Sequence, residues 1–540
     1  MMSPPDLRSC SRAAFGWAFG SWGRRASWWL ASCALVSLAV APWSPGAWAR
    51  QALAAPAPIT APVVFPATLE GQIDAVLSDP ALAAGQLGVA VVDLATGESL
   101  YKRNPDLALN PASNVKLVTT AAALGLLGPA HRYSTRLYHD REALAGATIT
   151  GDVYLRGGGD PALVTEDLWA MAADLRARGI QKITGGVVVD GSRFDRDELP
   201  PGFDQKEELA AYRAPSGATS VNFNTFEVRV RPGAAADNAA FASILPPVAT
   251  LVLVNEAKTS AGERDRLSVA IEVEKKITTV TLRGTIGVGA GSQSYRYPVS
   301  EPSRHAGEVL AYVLKQNGIR LGRAKPKLGA VPTDATLLGV HHSEPLSVLI
   351  RSVNKHSNNF MAEQILKGLA SPGAPATFAG ALVRVQEFLD EIGVANEGMR
   401  LGNGSGLYDT NRISAGQFAT MLTAVHNDYR MSADYVASLA IMGVDGTTRS
   451  RLEHSDRRGF VRAKTGTLDG IYCLSGYAGA PNRAPIAFSI LFNGLRKADA
   501  GTARAAHNRI AELLARHAAG QPLVIESPAS TATGESGDAE

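Results

Sequence analysis

Cysteine is scarce in this chain, in which Cys10, Cys33 and Cys473 are the only three among 540 residues. We interpret the first two as part of an N-terminal export signal, which would leave Cys473 as the one cysteine of the mature protein. A single cysteine forms no internal disulfide, so an exported chain of this kind must rely on its hydrophobic core. Cys473 lies in a strand-like apolar run, and we expect a small buried residue there in preference to a reactive thiol.

An excess of charge of either sign is also missing, because the formal net charge is only +3. The first 49 residues account for it, since Arg8, Arg12, Arg24 and Arg25 stand against the single acidic residue Asp6. The remainder is close to neutral, which predicts no basic surface for nucleic acid. A hydrophobic fraction of 46% is typical of a globular protein, and the length allows about two to four domains.

The apolar run near the N-terminus, residues 28–40, is too short to cross a bilayer comfortably, because a span takes about 20 residues. It follows a pair of arginines and precedes a small-x-small pattern that ends at Ala49 and that signal peptidases accept. We therefore predict an export signal cleaved near Ala49 and a periplasmic location. A retained anchor, peripheral membrane association and lipidation at Cys33 are the alternatives. The arginine pair leaves the general secretory and twin-arginine routes both open.

Composition and patterning divide the chain into six segments. We predict a signal peptide (1–49), a linker rich in alanine and proline (50–66), the first part of an α/β unit (67–132), a mainly β insertion (133–330), the second part of the α/β unit (331–519) and a disordered polar tail (520–540). Hydrophobic periodicity predicts a hairpin over 88–101, a helix over 113–127, strands over 148–155, 226–231 and 277–288, helical structure over 345–369, strands over 472–477 and 486–492, and a helix over 502–517. The predicted fold class is therefore α/β.

Three short motifs combine side chains suited to acyl transfer. They are Ser113-Asn114-Val115-Lys116, Ser357-Asn358-Asn359 and Lys464-Thr465-Gly466. The S-x-x-K pattern also occurs by itself at Ser99/Lys102 and Ser352/Lys355. A serine and a lysine three residues apart share a face only on a helix, which excludes the first of these extra matches because it lies in a predicted strand. The second, Ser352/Lys355, lies almost directly before Ser357-Asn358-Asn359 and would leave no well separated S-x-N element ahead of K-T-G. Ser113 and Lys116 are therefore retained.

The retained pair has the chemistry of a nucleophile and its base. Ser113 follows a proline and opens a predicted helix, whose dipole and free N–H groups favour developing negative charge. A serine hydroxyl attacks once a base takes its proton. Lys116 can be that base if burial, or a positive neighbour such as Lys464, lowers its pKa towards neutrality. We expect the backbone N–H groups of Ser113 and Thr467 to form an oxyanion hole.

The other two motifs supply the remaining parts of such a site. We expect Ser357 to relay a proton to the leaving amine, and Asn359 to hold both the substrate amide and the catalytic lysine in register. We expect Lys464 and Thr465 to bind a carboxylate. Gly466 has no side chain, so the substrate backbone can lie against the edge of its strand.

With these motifs and their spacing in place, the chain resembles the low-molecular-mass penicillin-binding proteins. The similarity is to the D-alanyl-D-alanine carboxypeptidase/endopeptidases that carry a large insertion, because about 240 residues separate Ser113 from Ser357. It covers roughly residues 70–518, and the further matching stretches are 156–161, 186–190, 214–216, 342–346, 354–359 and 403–407. The resemblance implies a transpeptidase-like fold, an antiparallel sheet flanked by helices. It also implies an acyl-enzyme without metal or cofactor, peptidoglycan peptides as substrates, and inhibition by β-lactams.

The resemblance also implies that Asp190 and Phe194 reach the cleft and meet a diaminopimelate side chain, although a carboxylate such as that of Asp190 is often a turn stabiliser. Two positions depart from the family pattern. Members often carry an arginine soon after the 403–407 stretch, whereas Asp409 stands there and the first arginine is Arg412. Asp469 stands where a neutral residue is common, and we expect it to oppose anionic groups.

Three other functions are weaker readings of the same sequence. A secreted β-lactamase would need a deacylating E-x-x-L-N loop, which is missing. A zinc peptidase would rest on the H-x-x-E matches His305/Glu308 and His341/Glu344, neither of which has a convincing third ligand. A non-catalytic wall-binding protein would have no need of three intact motifs. Asn358, in place of the common aspartate, should matter little, and the sequence fixes no oligomeric state.

Overall fold

The structure, a computed structural model, describes residues 68–523. The predicted signal peptide (1–49), the predicted linker (50–66) and the tail from residue 524 lie outside the described residues. Between residues 68 and 523 no helix is both long enough and apolar enough to cross a bilayer.

The described chain forms ten α-helices, which follow one another in the second half more densely than in the first. They are α1 Leu69–Leu77, α2 Val115–Leu127, α3 Thr165–Ala177, α4 Pro302–Gln316, α5 Leu346–His356, α6 Asn359–Gly368, α7 Phe378–Glu391, α8 Ala415–Asn427, α9 Ser432–Ser438 and α10 Ala500–Ala518.

The strands fall into five sheets. In chain order they are β1 Gln86–Asp93, β2 Ser99–Arg103, β3 Ser134–His139, β4 Leu144–Ala145, β5 Thr148–Ile149, β6 Val153–Arg156, β7 Lys182–Ile183, β8 Val187–Asp190, β9 Thr225–Arg231, β10 Phe241–Leu245, β11 Leu251–Asn255, β12 Lys258–Ser260, β13 Arg266–Glu274, β14 Ile277–Gly287, β15 Gln293–Pro298, β16 Arg320–Leu321, β17 Lys327–Leu328, β18 Thr336–His342, β19 Ala440–Ile441, β20 Val461–Leu468, β21 Ile471–Ala478 and β22 Ile486–Asn493.

The largest sheet is antiparallel throughout, with strand order β19-β20-β21-β22-β1-β2. Its strands alternate between two hydrophobic cores because successive side chains point to opposite faces. In β22, Phe488 and Ile490 pack towards α1 and α10, whereas Ala487 and Leu491 pack towards α2 and α8. The predicted α/β fold, an antiparallel sheet flanked by helices, is confirmed.

Residues 134–342, here called the middle segment, form the remaining four sheets. Its first and last strands, β3 and β18, pair in a five-stranded sheet of order β17-β8-β6-β3-β18. Just outside that pair, the Ser343 N–H donates to the Tyr133 carbonyl at 2.9 Å, and the Tyr133 N–H donates to the Ser343 Oγ at 3.0 Å. The chain therefore leaves and re-enters the rest of the molecule at adjacent points. The predicted boundary at residue 330 falls between two strands of this sheet.

Most predicted elements are present with bounds shifted by a few residues, but three features differ. The predicted strand over 148–155 is interrupted by a turn at Gly151, where φ is +91°, so that β5 and β6 belong to different sheets. The predicted helical stretch over 345–369 consists of α5 and α6. The mainly β middle segment also contains two helices that the sequence analysis missed, α3 and α4, which pack on its five-stranded sheet.

Candidate active site

Ser113 lies in a 3₁₀ turn, Ala112–Asn114, that directly precedes α2, so the helix begins two residues later than predicted. Two positions without side chains make room for this turn. A Cβ on Gly406 would lie 1.8 Å from the carbonyl oxygen of Ala112, and one on Gly466 would lie 2.6 Å from the preceding carbonyl oxygen. Glycine is therefore required at both positions. Gly466 packs the turn that carries Ser113, a role distinct from the expected one of admitting substrate.

The Lys116 amine is buried and within hydrogen-bonding distance of three oxygens. It lies 3.0 Å from the Ser113 Oγ, 2.7 Å from the Asn359 Oδ1 and 2.6 Å from the Ser405 carbonyl oxygen. An ammonium group donates to all three, whereas a neutral amine can donate to two and accept the proton of the Ser113 hydroxyl. The spacing of Ser113 and Lys116 thus brings the two functional groups together, as predicted.

Burial lowers the pKa of Lys116 to about 7, and the Glu363 carboxylate acts in the opposite direction. Glu363 is buried on α6 and accepts hydrogen bonds from the backbone N–H groups of Gly404 and Ser405, at 3.0 and 2.7 Å. Burial raises the pKa of Glu363, while these hydrogen bonds and Lys116 oppose the rise. An amine that titrates near neutrality is suited to general-base chemistry.

Ser357 connects its own motif, Ser357-Asn358-Asn359, with the motif Lys464-Thr465-Gly466. It lies at the junction of α5 and α6 with a φ of +57°. Its hydroxyl accepts a hydrogen bond from the Lys464 amine at 2.9 Å, and the same amine donates to the Thr465 carbonyl at 2.7 Å. Burial holds the pKa of Lys464 well below its usual range, and the positive charges of Lys116 and Arg451 lower it further.

Asn359 links the lysine to the middle segment. Its Oδ1 accepts from the Lys116 amine, and its Nδ2 donates to the Tyr212 carbonyl at 3.2 Å. The preceding residue, Asn358, is the N-cap of α6, because its side chain accepts from the backbone N–H of Met361 at 3.0 Å. The two asparagines of the S-x-N motif therefore have different roles, since Asn358 caps α6 and Asn359 contacts Lys116.

Two surface cavities meet at Ser113, and Ser357 and Thr467 also line both of them. The first, of about 600 Å³, continues past Thr465 and is closed by residues between α9 and β20 and on α10: Thr447, Ser450, Arg451, Arg504 and Asn508. The second, of about 570 Å³, lies between α6 and the middle segment, which contributes Ala211, Tyr212, Phe223, Thr225 and Arg296. A peptide lying across Ser113 can thus contact both parts of the chain.

Asp190 is buried at the end of β8, away from these cavities. Its carboxylate accepts from the backbone N–H groups of Ser192 and Val331, at 2.9 and 3.1 Å, and lies 3.7 Å from the Arg156 guanidinium. Burial raises its pKa, but these hydrogen bonds and the arginine outweigh burial and leave the pKa below its usual range. These contacts match the alternative role, a turn stabiliser.

The other residues taken from the family pattern also lie outside the two cavities at Ser113. Phe194 is buried in the hydrophobic core, with its ring centroid 5.4 Å from the Lys367 amine. Asp469 is exposed at the turn after β20. Arg412 forms an ion pair with Asp409 at 2.6 Å. The three short motifs converge in the structure, and these four positions do not join them.

Several residues of the site were missed from the sequence. Glu363 had a usable signal, because it lies one helical turn after Asn359 and so shares its face. The Tyr212 carbonyl and Arg451 had none, since each reaches the site from a part of the chain with no motif of its own. Ser405 lies in the 403–407 stretch that matches the family, but nothing in that stretch indicates that its carbonyl oxygen contacts Lys116.

Comparison with known proteins shows what the chain is similar to. The chain matches the family model described as D-Ala-D-Ala carboxypeptidase 3 (S13) over residues 69–516. It is 36% identical over 442 residues to a D-alanyl-D-alanine carboxypeptidase of an Actinomadura species, an alignment that covers 79% of this chain and 81% of the relative. It is 25% identical over 397 residues to the D-alanyl-D-alanine carboxypeptidase DacB of Haemophilus influenzae, which covers 72% of this chain and 81% of the relative.

The fold is also similar to a solved structure. The crystal structure of penicillin binding protein 4 from Haemophilus influenzae matches with a TM-score of 0.70 at 22% identity, over 82% of this chain and 98% of that one. The same protein in complex with a β-lactam matches with a TM-score of 0.65, at the same identity and coverage.

Proposed function

The chain belongs to the D-Ala-D-Ala carboxypeptidase 3 (S13) family, and from that membership we propose that it cleaves peptidoglycan peptides through an acyl-enzyme on Ser113. The predicted family and the predicted class of enzyme, a serine-type D-Ala-D-Ala carboxypeptidase, are both confirmed. The observation that carries the proposed mechanism is the distance of 3.0 Å between the Ser113 Oγ and the buried Lys116 amine.

In the proposed acylation step, neutral Lys116 takes the hydroxyl proton of Ser113 while the Oγ attacks the carbonyl carbon of the penultimate D-Ala. The carbonyl oxygen becomes negatively charged, and we assign its stabilisation to the backbone N–H groups of Ser113 and Thr467. The C–N bond then breaks, and the departing amine takes up, through the Ser357 hydroxyl, the proton that Lys116 removed from Ser113, so that Lys116 is neutral again. The Lys464 amine, 2.9 Å from that hydroxyl, supports this relay.

Deacylation uses the same groups in the reverse sense. A water molecule loses a proton to Lys116 and attacks the ester carbonyl, and Ser113 regains its hydroxyl proton as the ester bond breaks. Asn359 keeps the Lys116 amine in place through both steps, because its Oδ1 accepts from that amine at 2.7 Å.

We further propose D-Ala-diaminopimelate endopeptidase activity and covalent inhibition by β-lactams. Cavities on both sides of Ser113 leave room for a leaving group larger than one D-Ala. The solved relative in complex with a β-lactam supports the second proposal. The extra carboxylate of Asp469 was expected to oppose anionic groups at the site, and it lies outside both cavities.

A labelled penicillin tests the nucleophile. The label should attach covalently to the wild type and fail to attach to Ser113→Ala. Ser352→Ala is the matched control, because Ser352 belongs to a competing S-x-x-K match on α5, and this variant should label normally. Equal labelling of Ser113→Ala would contradict the proposal, and rapid release of hydrolysed penicillin would favour a β-lactamase instead.

The same proteins should be assayed on a muropeptide pentapeptide and on a cross-linked dimer. Release of free D-Ala from the first reports carboxypeptidase activity, and conversion of the second into monomers reports endopeptidase activity. Both should be lost by several orders of magnitude in Ser113→Ala. Pentapeptide cleavage without dimer cleavage would contradict the endopeptidase proposal alone.

We also propose export to the periplasm with removal of residues 1–49. The support is the sequence of that segment, which lies outside the described residues. N-terminal sequencing of the protein from its native membrane fraction and periplasm is the test. A mature chain that starts at Arg50 is expected, and a chain that keeps the first 49 residues would contradict cleavage.

A further inference from the structure

The cavity that joins Ser113 to Thr465 and Thr467 has one wall made by two arginines. Arg451 comes from the segment between α9 and β20, and Arg504 comes from α10. The Arg451 Nη1 is buried and has no hydrogen-bond partner. Neither arginine forms an ion pair with a carboxylate of residues 68–523, and no aspartate or glutamate lines the cavity. We call these two residues the cationic wall.

Arg451 is half-buried, and its buried Nη1 without an acceptor costs free energy, because that group has left water. Burial lowers the pKa of Arg451 to about 10, and the positive charge of Arg504 acts in the same direction. Arg451 in turn lowers the pKa of Lys464. The cations therefore repel one another around a cavity that no carboxylate lines, and an anion entering it would relieve that repulsion.

The lysine expected to bind a carboxylate does not face this cavity. The Lys464 amine is fully buried and donates to the Ser357 hydroxyl and the Thr465 carbonyl. Thr465 does line the cavity, and its hydroxyl lies 2.8 Å from that of Thr447. The hydroxyl of the K-T-G motif therefore faces the cavity, but the positive charge that faces it belongs to the cationic wall.

We propose that Arg451, assisted by Arg504, binds the carboxylate of the residue that departs during the reaction. The hydroxyls of Thr465 and Thr467 provide the neutral hydrogen bonds beside it. This inference rests on the proposed function, because it names the part of the leaving group that the cavity recognises. It makes Arg451 a specificity-determining residue that selects peptides with a free carboxylate on the departing residue.

Two peptides that differ only at that carboxylate provide the test. One ends in D-Ala-D-Ala with a free carboxylate, and the other ends in the corresponding C-terminal amide. The wild type should prefer the acid. In Arg451→Gln, kcat/KM for the acid should fall about 10- to 100-fold, the range of one lost charge-assisted hydrogen bond. Its kcat/KM for the amide should fall by a much smaller factor than that for the acid, so the preference for the acid disappears.

Three further variants sharpen the result. Arg449→Gln is the matched control, since Arg449 is an exposed arginine two residues away that does not line the cavity, and it should keep the preference. Arg451→Lys should restore part of it. Arg504→Gln changes an exposed residue and should lower the acid preference about fivefold, which keeps the proposal testable if Arg451→Gln fails to fold.

Thermal unfolding separates binding from structure. Arg451→Gln removes a half-buried charge that has no ion-pair partner among residues 68–523, so its Tm should equal or exceed that of the wild type. Equal losses on the acid and the amide would overturn the proposal, as would the same loss of preference in Arg449→Gln. A wild type inactive on both peptides would overturn the proposed function itself, which is a different outcome from an active enzyme whose preference survives Arg451→Gln.

Discussion

Ser357 has a backbone conformation that is unfavourable for residues other than glycine. Its φ of +57° and ψ of +37° lie in the left-handed region, where an L-residue is disfavoured by about 1 kcal/mol or more. That conformation ends α5, begins the approach to α6 and directs the hydroxyl to the Lys464 amine. The serine hydroxyl is thus kept at a position where glycine would suit the backbone better.

Comparing Ser357→Gly with Ser357→Ala isolates this strain, because both changes remove the hydroxyl. Both variants should lose peptidase activity, but the glycine variant should unfold with a free energy about 1 kcal/mol higher than the alanine variant. Urea denaturation measures the difference. The same pair of changes at Ser352, inside α5, should give the opposite order by about 1 kcal/mol. Equal stabilities at Ser357 would contradict the strain.

The pKa of Lys116 sets the pH dependence expected of acylation. Lys116 accepts a proton only when it is neutral, and its pKa is about 7. The rate of labelling by penicillin should therefore rise as the pH increases through about 7. Since the Glu363 charge raises the pKa of Lys116, Glu363→Gln should move this rise to lower pH.

The control for that shift is Glu387→Gln on α7, which removes an exposed carboxylate paired with Arg384. Its pH profile should coincide with that of the wild type. A Glu363→Gln profile that shifts to higher pH, or stays in place while the rate falls, would show that the carboxylate does not act on Lys116 through its charge.

At the scale of elements, the start of α6 explains why Asn358 can replace the common aspartate. Asparagine and aspartate are both good N-caps, because each side chain can accept from a free N–H of the first turn. Asn358→Asp should change the free energy of unfolding by less than about 0.5 kcal/mol, and Asn358→Ala should lower it by about 1 kcal/mol. Urea denaturation of the two variants tests this. An alanine variant as stable as the wild type would contradict the cap.

The elements that the sequence predicted well are those whose packing repeats along the chain. In these elements the buried residues recur at the spacing of a strand or of a helix. They are the hairpin of β1 and β2, the strands β21 and β22, and the helix α10. The break between α5 and α6 was missed, because no glycine or proline marks it and the positive φ falls on Ser357. The interruption of the strand over 148–155 depends on two separate sheets, which periodicity does not encode.

The residues of the site also divide into those that a local pattern predicts and those that it does not. Ser113 and Lys116 were predictable because three residues on a helical turn fix their relation. The convergence of Ser357 and Lys464 followed from the known combination of motifs. Arg451 depends on where a distant loop packs, so no local pattern contains it, and the 403–407 stretch does not indicate which atom of Ser405 contacts Lys116. Asp190 shows the reverse case, in which a residue fits the pattern while its hydrogen bonds hold it in a turn.

At the scale of the whole molecule, one buried lysine joins the middle segment to α6. Lys367 is fully buried, and its amine lies 2.6 Å from the Asp195 carboxylate and 2.6 Å from the Asp197 carbonyl oxygen. The rings of Phe194 and Phe378 flank it, with centroids 5.4 and 4.6 Å from the amine. The middle segment is therefore attached to α6 through the buried amine of Lys367.

Removing the partner of this lysine should destabilise the protein strongly. Asp195→Ala leaves Lys367 buried and unpaired, and the free energy of unfolding should fall by about 3 kcal/mol. Asp197→Ala is the control, because Asp197 contributes its carbonyl oxygen and its side chain is exposed, so this variant should differ from the wild type by less than about 0.5 kcal/mol. Similar losses in the two variants by urea denaturation would contradict the anchoring role of the carboxylate.

Strand β1 lies between β2 and β22, so one of its two edges pairs with a strand that is far away along the chain. Val89 pairs with Ile490, roughly 400 residues later, so at about 5–20 residues per second that edge of β1 waits on the order of 20–80 s during synthesis. The middle segment closes its own sheet once β18 has been made, well before then. Until that partner strand is available, β1 has an unpaired apolar edge that must be shielded from other chains.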